Sequence, residues 1–347
     1  VQLSGHFTLW GQRQDVVIGA AYNEASFLRE RSPFGDVIIF NIADVNVPRV
    51  GPTTFADFSV ANQDDSTLYS VFAEMAIRPT DWLSIVGGIR YDDLEVIELF
   101  DELVEDDLTV RIGATTQVSE SVSAYISYAE SFEPQLGLTR NLQSVGPETT
   151  GSVEIGVRGN VLEGTLQFSL SAFRSLRRNV AVADPENTPD DFFFATIGEQ
   201  RNQGIEITAD WKPLEGNNIN KNYGFLDVEV LEGDDDITPL VFPDNTASAF
   251  VTYEVQNGAL RGVTVGGGPR YVGQRDSFVD GISFDDFVIW DFVASYPVRE
   301  DIELSVNILN ATDKLYLESA GRFNGRLTGL SQFGAPRTAI FTLRATF

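Results

Sequence analysis

The chain has 347 residues, with 51 acidic against 24 basic residues and a formal charge of −27 at pH 7. Such an acidic surface does not neutralise phosphates, so we expect no nucleic-acid partner. Cysteine is absent and His6 is the one histidine, which excludes disulfides and thiolate metal sites and argues against a centre held by histidine. We therefore expect no resident metal or cofactor.

Alternation of apolar and polar residues dominates the chain and predicts strands with one apolar face. About 15 segments show it. The densest apolar run, 16–22, is far shorter than the roughly 18 to 20 residues of a membrane helix. In chain order, the clearest segments contain Leu83, Ile85 and Ile89; Leu108, Val110 and Ile112; Val122, Ala124 and Ile126; Val153, Ile155 and Val157; Leu166, Phe168 and Leu170; Leu304, Val306 and Ile308; and Phe341, Leu343 and Ala345.

The opposite faces of these segments carry ions that a packed protein core would not accept. Burying unpaired charges costs several kcal/mol each, so this face is predicted to be wet. A soluble β-sandwich is the alternative, and the charges argue against it. The residues concerned are Arg90, Arg111, Glu154, Arg158, Glu206, Asp210, Asp291, Glu303 and Arg344.

The connections between strands alternate in length. Short turns are predicted near 11–14, 79–81, 119–121, 162–164, 256–259 and 299–301, and long acidic connections at 29–65, 99–107, 133–149, 183–191, 232–245, 275–283 and 317–332. Outer-membrane barrels have short periplasmic turns, long extracellular loops and aromatic girdles, for which Trp82, Tyr91, Trp211, Trp290 and Tyr296 are candidates. The predicted fold is all-β, an antiparallel transmembrane β-barrel.

Several motifs, in order, resemble the C-terminal barrel of TonB-dependent outer-membrane receptors, in particular the ferric-siderophore branch. They are "WLSIVGGIRYDD" at 82–93, "YAESFEPQ" at 128–135, the "PETTGSVEIG" strand entry from 147, "GEQRNQGIEI" at 198–207, "GGGPRYVGQR" at 266–275, "NILNATDKLY" at 307–316 and "FGAPRTAIFTLRATF" at 333–347. Each motif is modest alone, but together they cover some two thirds of the chain in the family's order.

The resemblance implies a barrel of about 22 strands with a plugged lumen. Residues 1–347 would then be the C-terminal part of that barrel, with the plug domain and the first strands absent from this chain. Energy would come from the TonB complex acting through the missing plug. The resemblance also makes Phe347 the signal that the barrel assembly machinery reads, and it places the protein in the outer membrane of a Gram-negative bacterium, among its lipid and lipopolysaccharide.

The resemblance further implies a ferric siderophore bound in an outward-facing bowl lined by loop aromatics, with arginines attracting anionic chelates. The candidates lie near predicted outer strand ends: Phe132, Arg140, Phe192, Phe193, Arg201, Arg275, Phe278, Arg322 and Phe333. These positions follow from the predicted strand ends, since the family's ligand loops vary freely.

The predicted function is therefore energy-coupled import of a ferric siderophore, with no catalytic residues and no enzymatic step. The alternatives are a passive porin-like channel and a receptor of the same family for cobalamin, haem or a sugar. An outer-membrane hydrolase built on Ser4 and His6 is a third, weaker alternative, because no second histidine is available. The acidic runs at 101–107, 184–191 and 232–236 lack the spacing of a dedicated calcium loop and are interpreted as solvated loop tips.

Overall fold

The computed structural model describes residues 1–31, 59–97, 102–135, 137–184, 186–188, 193–232, 242–276, 283–299, 301–323 and 326–346. No helix among these residues is long and apolar enough to cross a membrane. Every regular element that they form is a β-strand.

The strands in chain order are β1 Gln2–Leu9, β2 Gln12–Arg31, β3 Ser59–Thr80, β4 Leu83–Ile97, β5 Glu102–Ser119, β6 Val122–Glu133, β7 Glu148–Val161, β8 Leu166–Ala183, β9 Phe194–Trp211, β10 Asn217–Glu232, β11 Asn245–Glu254, β12 Thr264–Val272, β13 Arg275–Asp276, β14 Ser283–Phe284, β15 Phe287–Arg299, β16 Ile302–Leu309, β17 Leu317–Phe323, β18 Arg326–Phe333 and β19 Thr338–Ala345. Fifteen of them form one antiparallel sheet in chain order, from β1 to β12 and then β15, β16 and β19. The hairpins β13–β14 and β17–β18 lie within two of the connections. The prediction of about 15 alternating strands is confirmed.

The register of the sheet separates the apolar side chains from the polar ones. Ile126 lies opposite Ile155, which lies opposite Ala172, and Ala172 lies opposite Ile205. The three isoleucines are 51%, 57% and 43% exposed. A soluble β-sandwich would bury them against a second sheet, so their exposure contradicts that alternative. We call this side the apolar face, and the side that carries Glu154 and Glu206 the polar face.

The strands have a short-turn end and a long-loop end, as predicted. The short-turn end has connections at 10–11, 81–82, 120–121, 162–165, 212–216, 255–263 and 300–301, and the long-loop end has connections at 32–58, 98–101, 134–147, 184–193, 233–244, 273–286 and 310–337. The turn at 212–216 was not predicted. All five predicted girdle aromatics, Trp82, Tyr91, Trp211, Trp290 and Tyr296, are exposed.

The prediction of an acidic loop at 99–107 is wrong. Most of this run belongs to β5, and only 98–101 separates β4 from β5. The reason is a local apolar cluster in which Leu103 packs with Leu94 and Val96 of β4. Those contacts make a strand more favourable than a solvated loop, even though the strand carries Glu102, Glu105 and further acidic residues.

Aromatic rings lie directly across from glycines of neighbouring strands. Tyr125 of β6 is paired with Gly156 of β7, and Phe173 of β8 with Gly204 of β9. A Cβ at either glycine would come within 3.0 Å of the opposing ring. Glycine is therefore needed at these positions, because it lets each ring lie flat on the neighbouring backbone.

The chain divides into two compact units. The first comprises Val1–Ser4, Val17–Ala73 and Arg90–Leu108, and it contains the Leu94, Val96 and Leu103 cluster. The second comprises Gly5–Val16, Glu74–Ile89 and Thr109–Phe347. Its buried apolar side chains include Phe287, Ile289 and Tyr316, which pack together at the long-loop end.

Candidate ligand-binding site

Charged side chains of the polar face form ion pairs, both within one strand and across the sheet. Within the second unit, Arg111 of β5 forms an ion pair with Glu74 of β3. Within the first unit, Arg90 contacts Asp92 at 2.7 Å and donates a hydrogen bond to Ser70 at 2.8 Å. These pairs confirm that charged side chains occupy the face predicted to be wet.

A further ion pair lies on the polar face near the long-loop end. Arg177 of β8 binds both carboxylate oxygens of Glu148 of β7, with Nε–Oε1 and Nη2–Oε2 distances of 2.6 and 2.7 Å. The Glu148 side chain is 8% exposed and that of Arg177 is 25% exposed. A bidentate contact of this kind fixes the relative position of the two strands at the point where the 134–147 connection enters β7.

Two amides attach the 134–147 connection to β8. Asn179, at φ +58°, donates to the carbonyls of Val145 and Pro147 at 2.9 and 2.8 Å. Gln135 donates to the Asn179 carbonyl at 2.6 Å and accepts from the Ala181 amide at 2.6 Å. Both side-chain amides bind main-chain carbonyl and N–H groups, so these hydrogen bonds hold the connection against β8.

Arg140 and Phe193, two of the predicted ligand residues, lie in contact with each other. The Arg140 guanidinium lies 5.3 Å from the centre of the Phe193 ring, and its Nε donates to Asp184 at 3.2 Å. Asn187 binds the backbone of Phe193 through both its amide atoms. Arg140 therefore links the 134–147 connection to the 184–193 connection, and the Asp184 carboxylate already neutralises its charge. We call these residues the Arg140 cluster.

The Arg140 cluster is expected to open in acid. The Arg140 guanidinium, and then the backbone N–H of Glu186, hold the pKa of Asp184 below its usual value. A carboxyl with a lowered pKa in the folded state stabilises that state above the unfolded pKa of about 3.9 and loses this contribution as pH falls further. We expect amide exchange at Glu186 and Asn187 to accelerate relative to the rest of the sheet below about pH 4 and to stay unchanged between pH 6 and 8.

Exchange measured by mass spectrometry checks this, with the Asp184→Asn variant as the control. The variant lacks the titrating group, so its exchange at these amides should show no acid-dependent step. The same step in the variant and in the parent protein would assign it to another group.

Arg275, a third predicted residue, lies in an aromatic cluster. Its guanidinium lies 5.7 Å from the Phe284 ring centre and 5.5 Å from that of Phe287, and it donates to the Leu317 carbonyl. Phe287 stacks on Tyr316 at a centroid distance of 4.2 Å. We call this group the Arg275 cluster. It joins the 273–286 connection, β15 and the start of β17.

A cleft of about 260 Å³ opens beside the Arg275 cluster. Phe333, a fourth predicted residue, lines it and is 57% exposed. The lining also contains Phe284, Asp285, Asp286, Phe287, Lys314, Leu315, Tyr316 and Leu317. Aromatic walls with a few charged groups are typical of small-molecule sites, and the volume of this cleft lies just below their usual range of about 300 to 1,000 Å³.

The turn after β16 holds Tyr316 in place. Asn310, 2% exposed and at φ +46°, donates to the carbonyls of Lys314 and Ala335 at 2.8 and 3.0 Å and accepts from the Lys314 amide at 2.9 Å. Gly334 packs so closely on the Tyr316 ring that a Cβ would overlap it. Two motifs of the sequence, "NATDKLY" and "FGAP", therefore form one structural unit.

A family model described as TonB dependent receptor-like, beta-barrel matches residues 1–311. The chain belongs to this family. TonB-dependent receptors are Gram-negative outer-membrane β-barrel proteins, so the apolar face of the sheet is its lipid-facing side. The short-turn end is accordingly periplasmic and the long-loop end extracellular.

Relatives of this TonB-dependent receptor chain include two curated proteins of Pseudomonas aeruginosa. The metal-pseudopaline receptor is 31% identical over 216 residues, which cover 60% of this chain and 30% of that protein. The ferripyoverdine receptor is 24% identical over 373 residues, which cover 100% of this chain and 44% of that protein. The chain thus spans less than half the length of these curated relatives.

Solved structures agree with the fold. The ferric preacinetobactin receptor of Acinetobacter baumannii superposes with a TM-score of 0.81 at 22% identity, over 98% of this chain and 52% of that one. At this identity the likeness shows the fold alone.

The receptor's register places two predicted ligand residues on the apolar face. Arg201 shares the alternation of Ile205 and Ile207 and is paired with Asp227 at 3.2 Å and with Glu229. Phe132 shares the alternation of Ile126 and lies opposite Thr149. Neither belongs to the Arg140 cluster or the Arg275 cluster. Counting in steps of two from Ile205 would have placed Arg201 correctly from the sequence.

Four further predicted residues are not described in full by the structure. Phe192, Phe278 and the assembly signal Phe347 lie outside the described residues, and Arg322 belongs to β17 with its side chain outside the described set. Among the described residues, no group of three or more His, Cys, Asp or Glu side chains is arranged to hold a metal ion.

Sequence reasoning missed most of the residues that surround the receptor's candidate site. Asp184, which neutralises Arg140, lies 44 positions away from it along the chain. Tyr316 and Phe287 could have been chosen from the sequence, since both are aromatic residues at the ends of segments with clear strand patterns. The contact of Arg275 with Phe287, and of Phe287 with Tyr316, has no such signal, because it depends on how separate segments pack together.

Proposed function

We propose that the complete protein imports a ferric siderophore across the outer membrane in an energy-coupled step driven by the TonB complex. The main support for this function is the family match over residues 1–311, together with relatives that are named as receptors for metal chelates. Because this chain spans less than half of the two curated relatives, the substrate and the coupling belong to the proposal.

The proposal assigns this chain the barrel wall and several outer loops. Residues 1–347 would supply the C-terminal part of the barrel, and a plug elsewhere in the complete protein would supply the floor of the site and the contact with TonB. No covalent step is proposed. Import needs binding at the extracellular end and release when the plug moves, which a transport receptor achieves without catalytic residues.

Binding would use the Arg275 cluster and the cleft beside it. Phe333 is exposed there and can contact the organic part of a chelate, while Lys314, Asp285 and Asp286 offer both signs of charge at the rim. Arg140, Phe193, Arg201, Phe132, Phe192, Phe278 and Arg322 remain candidates from sequence. Arg140, Arg201 and Arg275 each already donate to an oxygen atom of the protein, so an anionic chelate would have to compete with those contacts.

The transport test uses the intact gene, its deletion and complementation in iron-starved cells. Uptake of radioactive iron is measured for hydroxamate, catecholate and mixed chelates. We expect one class to lose uptake in the deletion strain, to regain it on complementation, and to lose it again when a protonophore removes the energy source. Cobalamin, haem and a sugar serve as the alternative substrates.

The outcomes separate the alternatives. Uptake that persists with the protonophore would support a passive porin-like channel, and loss of cobalamin, haem or sugar uptake alone would move the receptor to another substrate. Unchanged uptake of every ferric chelate in the deletion strain would contradict the proposal.

The cleft is tested by chelate binding to the complete receptor. Phe333→Ala removes an exposed aromatic wall with little expected cost to folding, and we expect the Kd of the imported chelate to rise by about tenfold, the loss of roughly 1.4 kcal/mol. Leu142→Ala is the matched control, because Leu142 is an exposed apolar residue of the same end outside the cleft. Equal Kd values for both variants and the parent would remove the cleft from the site.

A further inference from the structure

The cleft beside the Arg275 cluster has more negative than positive charge in its lining. Asp285 and Asp286 are exposed there, and Lys314 is the one cation among the residues that line it. None of the described residues forms an ion pair with either aspartate. The Tyr271 hydroxyl interacts with Asp286, but this donor is neutral and leaves the carboxylate charged. Lys314 offsets one of the two carboxylates, so one negative charge remains to be matched.

Arg275 does not supply that positive charge, although it lies close by. Its guanidinium lies over the Phe284 and Phe287 rings, and its Nη2 donates to the Leu317 carbonyl. Its Nε is buried and has no acceptor among the described residues, so a ligand could reach this atom only if the rings moved. Arg275 is also absent from the lining of the cleft. Its contacts show instead that the ring faces of this cluster accept a cation.

The connections of the long-loop end are acidic as well. The second compact unit has five of them, which contain 14 acidic and 6 basic residues. They are 134–147, 184–193, 233–244, 273–286 and 310–337. Four of the six basic residues belong to the last one, so the other four connections have 12 acidic residues against Arg140 and Arg275. Such an end attracts cations and repels anions as they approach.

The size of the cleft limits what it can hold. Its volume of about 260 Å³ is below that of a site for a whole drug-sized ligand, so it would take one arm of a ferric chelate and not the iron-bound centre. Phe333, 57% exposed, offers an aromatic surface in the same cleft as the two aspartates. A cation that meets both an aromatic ring and a carboxylate is stabilised by each of them.

We propose that this cleft selects ferric chelates that carry a positively charged arm ending in a primary ammonium. Asp285 and Asp286 would bind the ammonium, and Phe333 would pack on the arm. The inference rests on the proposed import of a ferric siderophore and narrows it to cationic chelates. It reverses the expectation from the sequence that arginines of this end attract anionic ones, because Arg140 and Arg275 are already engaged within the protein.

The experiment measures chelate binding to the complete, purified receptor. The probes are the ferric trihydroxamate, triscatecholate and mixed chelates of the uptake test, each made with an arm that ends in an ammonium, an acetamide or a carboxylate. On the scaffold that the receptor imports, we expect the ammonium arm to bind about tenfold more tightly than the acetamide arm, and the carboxylate arm to bind more weakly still. The preference should shrink at high salt, since salt screens exposed charges.

The double variant Asp285→Asn with Asp286→Asn assigns the preference to the cleft. We expect it to lower the preference for the ammonium over the acetamide from about tenfold to below about twofold, with the Kd of the acetamide arm unchanged. Asp244→Asn is the matched control, because Asp244 is an exposed carboxylate of the same end outside the cleft, and it should keep the preference.

The outcomes separate this inference from the proposed function. Equal Kd values for the three arms on an imported scaffold would overturn the selection of cationic chelates and leave import itself intact. An equal loss of preference in Asp244→Asn and in the double variant would overturn the role of the cleft. Uptake of every scaffold that does not depend on the gene would contradict the proposed function, and the inference with it.

Discussion

The Asn310→Ala variant is expected to lower the free energy of unfolding by about 3 to 5 kcal/mol. The Asn310 side chain makes three hydrogen bonds to the backbone groups of Lys314 and Ala335, in a position that is 2% exposed. Alanine would leave these three part-buried backbone groups without their side-chain partner. It would also have to adopt a positive φ, +46° in the parent, which disfavours residues with a Cβ other than Asn and Asp.

Denaturant unfolding of the complete receptor in lipid vesicles measures this loss. Asn307→Ala is the control, because Asn307 is the same residue type on β16 and its side chain makes no hydrogen bond with the described residues. Asn310→Asp should fall between the two, since it keeps the acceptor and tolerates the positive φ but loses both donated bonds. A stability for Asn310→Ala equal to that of Asn307→Ala would show that the turn is not held by this side chain.

The Arg177→Gln variant is expected to cost about 2 kcal/mol, the next largest effect. It leaves the carboxylate of Glu148, whose side chain is 8% exposed, without its two-pronged partner. The figure is below that of a fully buried pair because Arg177 is 25% exposed and water replaces part of the lost contact. We also expect faster amide exchange in the 134–147 connection, which ends next to Glu148.

Two variants test the pairing itself. The double exchange Glu148→Arg with Arg177→Glu should recover part of the loss, because it restores opposite charges on the same two strands. Arg158→Gln is the control on the same face, since Arg158 lies over the Tyr125 ring and pairs with no carboxylate of the described residues. If Arg177→Gln and Arg158→Gln cost the same, the Glu148 pair contributes nothing specific.

Most of the wall was predictable from sequence. The segment built on Val122, Ala124 and Ile126 becomes β6 with its apolar side chains on one face, as the alternation indicates. The one clear failure, the acidic run at 101–107, shows the limit of composition. Acidic residues predict a loop only when no apolar neighbour offers burial, and Leu103 has such neighbours in Leu94 and Val96.

The candidate site was predictable only as a list of residue types. Arg140, Phe193, Arg275 and Phe333 all lie at the extracellular end, as strand counting indicates. Residue types could not show that Arg140 is bound by Asp184, 44 positions away, or that Arg275 lies against the Phe284 and Phe287 rings, because both contacts depend on how the connections fold.

The sequence by itself determined the strands, the two faces, the two ends and the family of this protein. It could do so because a strand repeats every two residues, so each side chain's face follows from its immediate neighbours. The tertiary structure alone decided which cations are already neutralised and which turn holds Tyr316. Those properties depend on distances between side chains on different strands and loops, and no local period encodes them.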